Sequence, residues 1–405
     1  MTNYLHKVLP PQYSHVNKVY CLLAATVFCA LPLCSTEAAA ENILKYDGTT
    51  NIHGNAKTWA AKNEYDGIDI RVTGVDGGYY TDTTEALVLN NQTLNVKGKG
   101  KFVSIINTAQ NKQIDNNGGI YAKGGSTVNF TDVDSIYIAA IAGKEGGNDS
   151  TVISAKDPGR DLKGYTNIVN ISGTTVQLIG SIDVMHSLGS VFFNRNARHT
   201  VNAALSGSDS FWYGSAIGET DERTTVNLSL ADGATWIFNA GKSTLNAGGI
   251  IRNLKLDKGV VLFADAEVWE TYRKTVIKGT DYVLANYRDH NERYSQVEIR
   301  SLTGPGGIFK MDLDWQSNNG ERQYTEKSDF ITIGTAEDGS HQIVEFDMGK
   351  AHLDEMKNGD KLYFASVESG NTTFSTNADG EVNRADELYR FGLHTQSEED
   401  ETDQL

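Results

Sequence analysis

The sequence predicts an all-β protein of stacked parallel strands, a β-solenoid, and three observations predict it. Apolar and polar residues alternate over short runs, as in Val226, Leu228 and Leu230 against Asn227 and Ser229; a side-chain period of two is that of a strand with one buried face. A signature of Thr or a neighbour, an aliphatic residue and Asn recurs along the chain. Turn-forming glycine is plentiful at 40 residues, whereas proline, which removes a ladder donor, occurs only five times in 405.

The first 40 residues differ in kind. Lys7 and Lys18 precede an apolar run from Val19 to Cys34, and Glu37-Ala38-Ala39-Ala40 follows. A charged region, an apolar region and small residues at Ala38 and Ala40 make an export signal peptide with its cleavage site. The apolar run is shorter than the ~20 residues of a spanning helix. Cys21, Cys29 and Cys34 are the only cysteines, so the mature chain relies on burial and backbone pairing in place of disulfides. The remainder carries 34 basic and 51 acidic side chains, a net −17. That field repels phosphate backbones and excludes nucleic acid as a partner.

Residues 41–278 form the main body. The signature appears around Asn95, Asn129, Asn170, Asn202, Asn227 and Asn246, at steps of 34, 41, 32, 25 and 19 residues, within the range of stacked repeats. A second apolar run often follows: Ser135–Ala139, Thr175–Gly180, Ser210–Gly214 and Ala234–Phe238. Each rung buries its aliphatic face only by stacking on the next, and each asparagine points outward to pair with that of a neighbouring rung. An antiparallel sandwich of the same strands is the competing architecture. Ala266–Lys278 is legible either as a helix or as two strands. Residues 279–393 hold longer alternations, at Val297–Leu302, Ile308–Trp315, Phe330–Gly334, Ile343–Asp347 and Lys361–Val367. Residues 394–405 are an acidic block whose self-repulsion implies a disordered tail.

The back of the chain resembles a known family. Ala234-Thr235-Trp236, Ser243-Thr244-Leu245, Leu254-Lys255-Leu256 and Gly259–Phe263, followed by Leu302–Met311, Ser328–Ile333, Gly339–Ile343 and Gly370–Phe374, are similar in order to the pertactin-like autotransporter passengers. The likeness spans about 224–375, and 41–223 share its style. It implies a right-handed parallel β-helix whose last rungs, in 279–393, act as a folding and capping segment. It also implies passage through the periplasm to the cell surface and an outer-membrane translocator barrel. No amphipathic strands of membrane length follow Leu388–Leu393, so the barrel is expected on a separate chain or to be missing.

Chemistry-bearing motifs are sparse. Ser206–Ser210 is not a nucleophile motif and reads as a turn; Gly241-Lys242-Ser243-Thr244 lacks the earlier glycine of a phosphate loop, since Trp236 stands there. The seven mature histidines are scattered. Asp115–Gly119 offers oxygens to calcium but reads as a polar turn. Asp132 with Asp134 and Asp312 with Asp314 have the spacing of a glycosidase pair on one strand face, and equally that of a solvent face. No cofactor and no metal are expected. Two aromatic groups, Phe211-Trp212-Tyr213 and Tyr79-Tyr80, must turn at least one ring outward if they lie on strands, which makes these five residues the binding candidates. The function expected is therefore non-enzymatic: an exported adhesin or surface-display passenger whose partner is a glycan or protein on a host or neighbouring cell. A polysaccharide-acting enzyme on the same scaffold and a self-associating structural protein are the alternatives.

Overall fold

A computed structural model describes residues 2–8, 42–51, 62–75, 83–109, 116–141, 149–155, 164–184, 197–217, 223–238, 249–263, 295–313, 329–346, 361–376, 381–383 and 390–396. These residues are all-β, with no helix among them. The strands are β1 (Thr2–Val8), β2 (Ile43–Asn51), β3 (Gly67–Val75), β4 (Thr83–Asn90), β5 (Thr93–Lys97), β6 (Phe102–Ala109), β7 (Asn116–Lys123) and β8 (Thr127–Ile141). Then come β9 (Asp149–Ala155), β10 (Thr166–Ile179), β11 (Ser181–Asp183), β12 (Arg198–Ser206), β13 (Phe211–Gly214), β14 (Ala216–Ile217), β15 (Thr224–Ala231) and β16 (Thr235–Phe238). The last are β17 (Gly249–Phe263), β18 (Gln296–Met311), β19 (Phe330–Ala336), β20 (His341–Phe346), β21 (Lys361–Gly370), β22 (Thr373–Ser375), β23 (Glu381–Asn383) and β24 (Arg390–Gln396).

Pairing sorts them into three parallel ladders. The first runs β5, β8, β10, β12, β15, β17, β18, β19, β21. The second runs β2, β3, β6, β8, β10, β13, β16, β17, β18, β20, β22. The third runs β4, β7, β9, β11, β14. Every pairing among described residues 43–375 is parallel, which rules out the antiparallel sandwich there. Among the described residues, antiparallel pairing is confined to β1 with β21 and β24, and to β23 with β24. Thus residues 2–8, inside the expected signal peptide, are placed as a strand, and β24 reaches three residues into the segment expected to be a disordered tail. The first and second ladders also continue from β17 to β18, across the boundary expected at residue 278.

Long strands belong to two ladders at once. In β8 the first half pairs in one and the second half in the other, so the two apolar runs that the sequence separates are one strand bent at a corner. The corner lies at Asp132, in the left-handed region (φ 58°). Lys258 (φ 62°) turns β17 at the corresponding place, and Gly304 and Gly306 (φ 92° and 140°) turn β18. A left-handed residue redirects the chain without an inserted loop. Gly306 has no substitute: a Cβ there would run into the His341 carbonyl. Pro305 sits at the same irregularity, between residues that pair with Lys255 and Asp257, and is exposed, where its missing N–H costs no ladder bond.

The inward faces of all three ladders meet in one core. Val128, Val169, Val201 and Val226 lie over one another in successive rungs, each no more than 2% exposed. Trp212 stacks on Trp236, with ring centroids 5.1 Å apart and planes within 4°. Each indole N–H donates to a glycine carbonyl of an adjacent rung, Trp212 to Gly180 and Trp236 to Gly214, both at 2.9 Å. Their polar ends are thereby satisfied inside the apolar stack. A fully buried valine stabilises by roughly 1.5–3 kcal/mol. Replacing it with an unpaired charge removes that and adds desolvation. Val226→Asp is therefore expected to cost at least about 3 kcal/mol, read as a large fall in melting temperature; an unchanged melting temperature would contradict the stacked core.

Candidate functional site

Among the described residues, the outward face of the first ladder carries a regular file of asparagines. Asn95, Asn129, Asn170, Asn202, Asn227 and Asn253 fall in register on successive strands. Asn95 donates its side-chain amide to the Asn63 main-chain carbonyl at 3.0 Å, and each later amide donates to the side-chain oxygen of the asparagine before it. Asn129 donates to Asn95 at 2.9 Å, Asn170 to Asn129 at 2.8 Å, and Asn202 to Asn170 at 2.7 Å. Asn227 donates to Asn202 at 2.7 Å and Asn253 to Asn227 at 2.6 Å. The expected pairing of asparagines between rungs is present. Its last member is Asn253, not Asn246, which lies outside the described residues.

Two further files flank the asparagines at i±2 on the same face. Thr93, Thr127, Ile168, Thr200 and Thr225 pair in turn on one side. Ser172, Ala204, Ser229 and Lys255 pair in turn on the other, and Thr131 pairs with Lys97. Over the four rungs of β8, β10, β12 and β15 the twelve outward positions hold Thr, Asn, Ser, Ile and Ala, and no charge. Exposed charged residues frame them: Lys97 and Lys255 at the ends, Arg198 on one long edge, Asp132 and Asp232 at the corner on the other. At about 4.8 Å per rung and 3.3 Å per residue, the neutral strip measures roughly 14 by 13 Å. A shallow open groove of about 340 Å³ runs along it from Thr131 to Lys255. At Ala204 the outward face lacks the hydroxyl that Ser172 and Ser229 carry on the neighbouring rungs.

The residues singled out from sequence lie elsewhere. Phe211, Trp212 and Tyr213 are 8%, 0% and 3% exposed. The requirement that one ring reach solvent fails here, because both faces of β13 are buried. Tyr79 and Tyr80 lie outside the described residues, as do the cleavage residues Ala38 and Ala40. Asp132 and Asp134 do not share a flat strand face, because Asp132 occupies the left-handed corner and Asp134 accepts a hydrogen bond from the Gly100 N–H at 3.0 Å. Asp314 is outside the described residues. The Asp312 N–H donates to buried Asp329, which also accepts from the Ser295 N–H, both at 2.6 Å. Asn116–Gly119, expected as a polar turn, is the start of β7. Ser206–Ser210 is a turn, closed by the Ser210 N–H on the Gly207 carbonyl at 3.0 Å. Among the described residues no three His, Cys, Asp or Glu side chains gather as a metal site.

Two displaced ionisations lie off the neutral strip. The Lys101 ammonium, helped by the Asn42 N–H, holds Asp66 below the usual carboxylate range. Burial raises the Tyr137 phenol above its ordinary value near 10. Comparisons with protein-family models, with curated proteins and with solved structures find no match for this chain.

Two outcomes follow from these contacts. Asn202 makes two ladder bonds and Asn253 one. Asn202→Ala is expected to cost about 1–2 kcal/mol and Asn253→Ala about half as much in denaturant unfolding; equal costs would show the bonds to be incidental. For Tyr137, the folded chain holds the phenolic proton more tightly than the unfolded one. The stability this gives is complete below about pH 10 and is lost as pH rises through the folded value. Tyr137→Phe should remove that alkaline step from the stability profile.

Proposed function

We propose that this chain is a right-handed parallel β-helix passenger of the autotransporter type, exported and displayed as a non-enzymatic adhesin. The observation that carries the reading is the regular outward face of the first ladder, a lateral surface that repeats from rung to rung. Binding spread over many rungs suits adhesion, in which many weak contacts act together. The apolar segment before Ala38 and Ala40 supports export, and the likeness to pertactin-like passengers over 224–375 supports display beyond an outer membrane. A translocator barrel on a separate chain would provide the anchor. The partner is a glycan or protein on a host or neighbouring cell surface.

A polysaccharide-cleaving enzyme is the second reading, favoured only by the carboxylate pairs Asp132–Asp134 and Asp312–Asp314. The separation of Asp132 onto the corner counts against the first pair. The deciding experiment coats beads with the full-length chain and measures their adhesion to a panel of cells, alongside release of reducing ends from polysaccharides. Adhesion without release of reducing ends is expected. Hydrolysis that is abolished by Asp312→Asn would overturn the adhesin reading in favour of the enzyme.

A further inference from the structure

The neutral strip sits on a protein of net charge −16, with charged residues on every border. Its chemistry narrows what can lie on it. Each asparagine inside the file spends one N–H and one acceptor site on its neighbours. A primary amide has two N–H donors and a carbonyl with two lone pairs, so one donor and one acceptor site per rung remain for a ligand. Thr and Ser hydroxyls on either side both donate and accept. The result is an array of neutral donors and acceptors repeated at about 4.8 Å.

From this we infer that the strip is a binding site for an uncharged polysaccharide, lying along the stack and passing over Ala204. The inference rests on the adhesin reading and names its ligand class. Charge complementarity selects among partners. An anionic polymer meets the acidic field of the whole chain. A basic peptide finds no carboxylate inside the strip, and the groove is lined mostly by carbon between the amides and hydroxyls, a mixed surface that suits a sugar ring with its C–H faces and hydroxyl edges. A polyhydroxylated neutral chain pairs with donors and acceptors alike and desolvates no charge. Ala204 is exposed between Ser172 and Ser229, so the groove is open where the chain must enter. Each rung adds little, and the affinity accumulates along the polymer.

The test uses the full-length chain and its Ala204→Lys variant, which raises a long side chain from the strip and brings a charge into it at a solvent-exposed position. Asp338→Lys, exposed and far along the chain, is the control. Binding is measured to soluble uncharged polysaccharides (a glucan, a mannan and a galactan) and to anionic alginate and heparin, with melting temperatures recorded in parallel. The expected result is binding of at least one uncharged polymer, no binding of the anionic ones, and a loss of about tenfold or more in Ala204→Lys at unchanged melting temperature. Unaltered binding in Ala204→Lys would remove the site from this face. Coated beads that adhere to cells but neither bind nor are competed by any uncharged polymer would overturn the ligand class and leave the adhesin reading standing. Beads that do not adhere, with the uncharged polymer bound and then lost in Ala204→Lys, would overturn the adhesin reading and keep the site.

Discussion

Register between parallel strands is the constraint on which everything else in this molecule depends. When Val169 lies opposite Val201 and Val201 opposite Val226, each residue meets its own kind on the next rung. On the inside this stacks valine on valine and Trp212 on Trp236; on the outside it stacks asparagine on asparagine. A shift of one residue would send the asparagines into the core and the valines into water. The asparagine file is then a second lock on the register, because its amides reach their partners only when the rungs are level. A chain without cysteine in its body needs such a lock. The contacts are between neighbours, so stability is built rung by rung.

Corners make the repetition possible. A flat ladder would leave its aliphatic face open, and a bend at the same place in each rung turns a second ladder towards the first. Asp132, Lys258, Gly304 and Gly306 bend their strands with left-handed backbone. The glycine at 306 is imposed by the close approach of the His341 carbonyl, whereas Asp132 and Lys258 are exposed and have room for a side chain. The same local device is met by different residues according to how near the adjacent rung comes.

This explains what could be read from the residues and what could not. Period-two alternation and the recurring asparagine gave the strands, their parallel order and the pairing of amides, since both are local patterns repeated in one direction. The joining of two apolar runs into one strand was hidden because Asp132 and Asp257-Lys258-Gly259 have the composition of turns between separate strands. The third ladder was missed for the same reason: Asn116-Asn117-Gly118-Gly119 has turn composition, yet it pairs with β4 and β9. For Phe211 and Tyr213, alternation names the outer face correctly but cannot say whether that face meets water. The asparagine half of the candidate site was legible. Its neutrality was not, because residues dozens of positions apart become neighbours only once the register is known.

A surface made by repetition has a different logic from a cleft. A catalytic site concentrates function in a few side chains held at fixed distances, and one substitution can abolish it. Here the same amide, hydroxyl and spacing recur on four rungs, so removing one asparagine weakens the face by a fraction. What cannot be diluted is an intruding charge, since neutrality belongs to the strip as a whole and a single lysine or carboxylate acts across several rungs within the Debye length of about 8–10 Å. The absence of charge from twelve adjoining outward positions, in a chain of which 22% is charged, is therefore the property on which the proposed binding by this face would depend. The individual asparagines serve mainly to keep its rungs level.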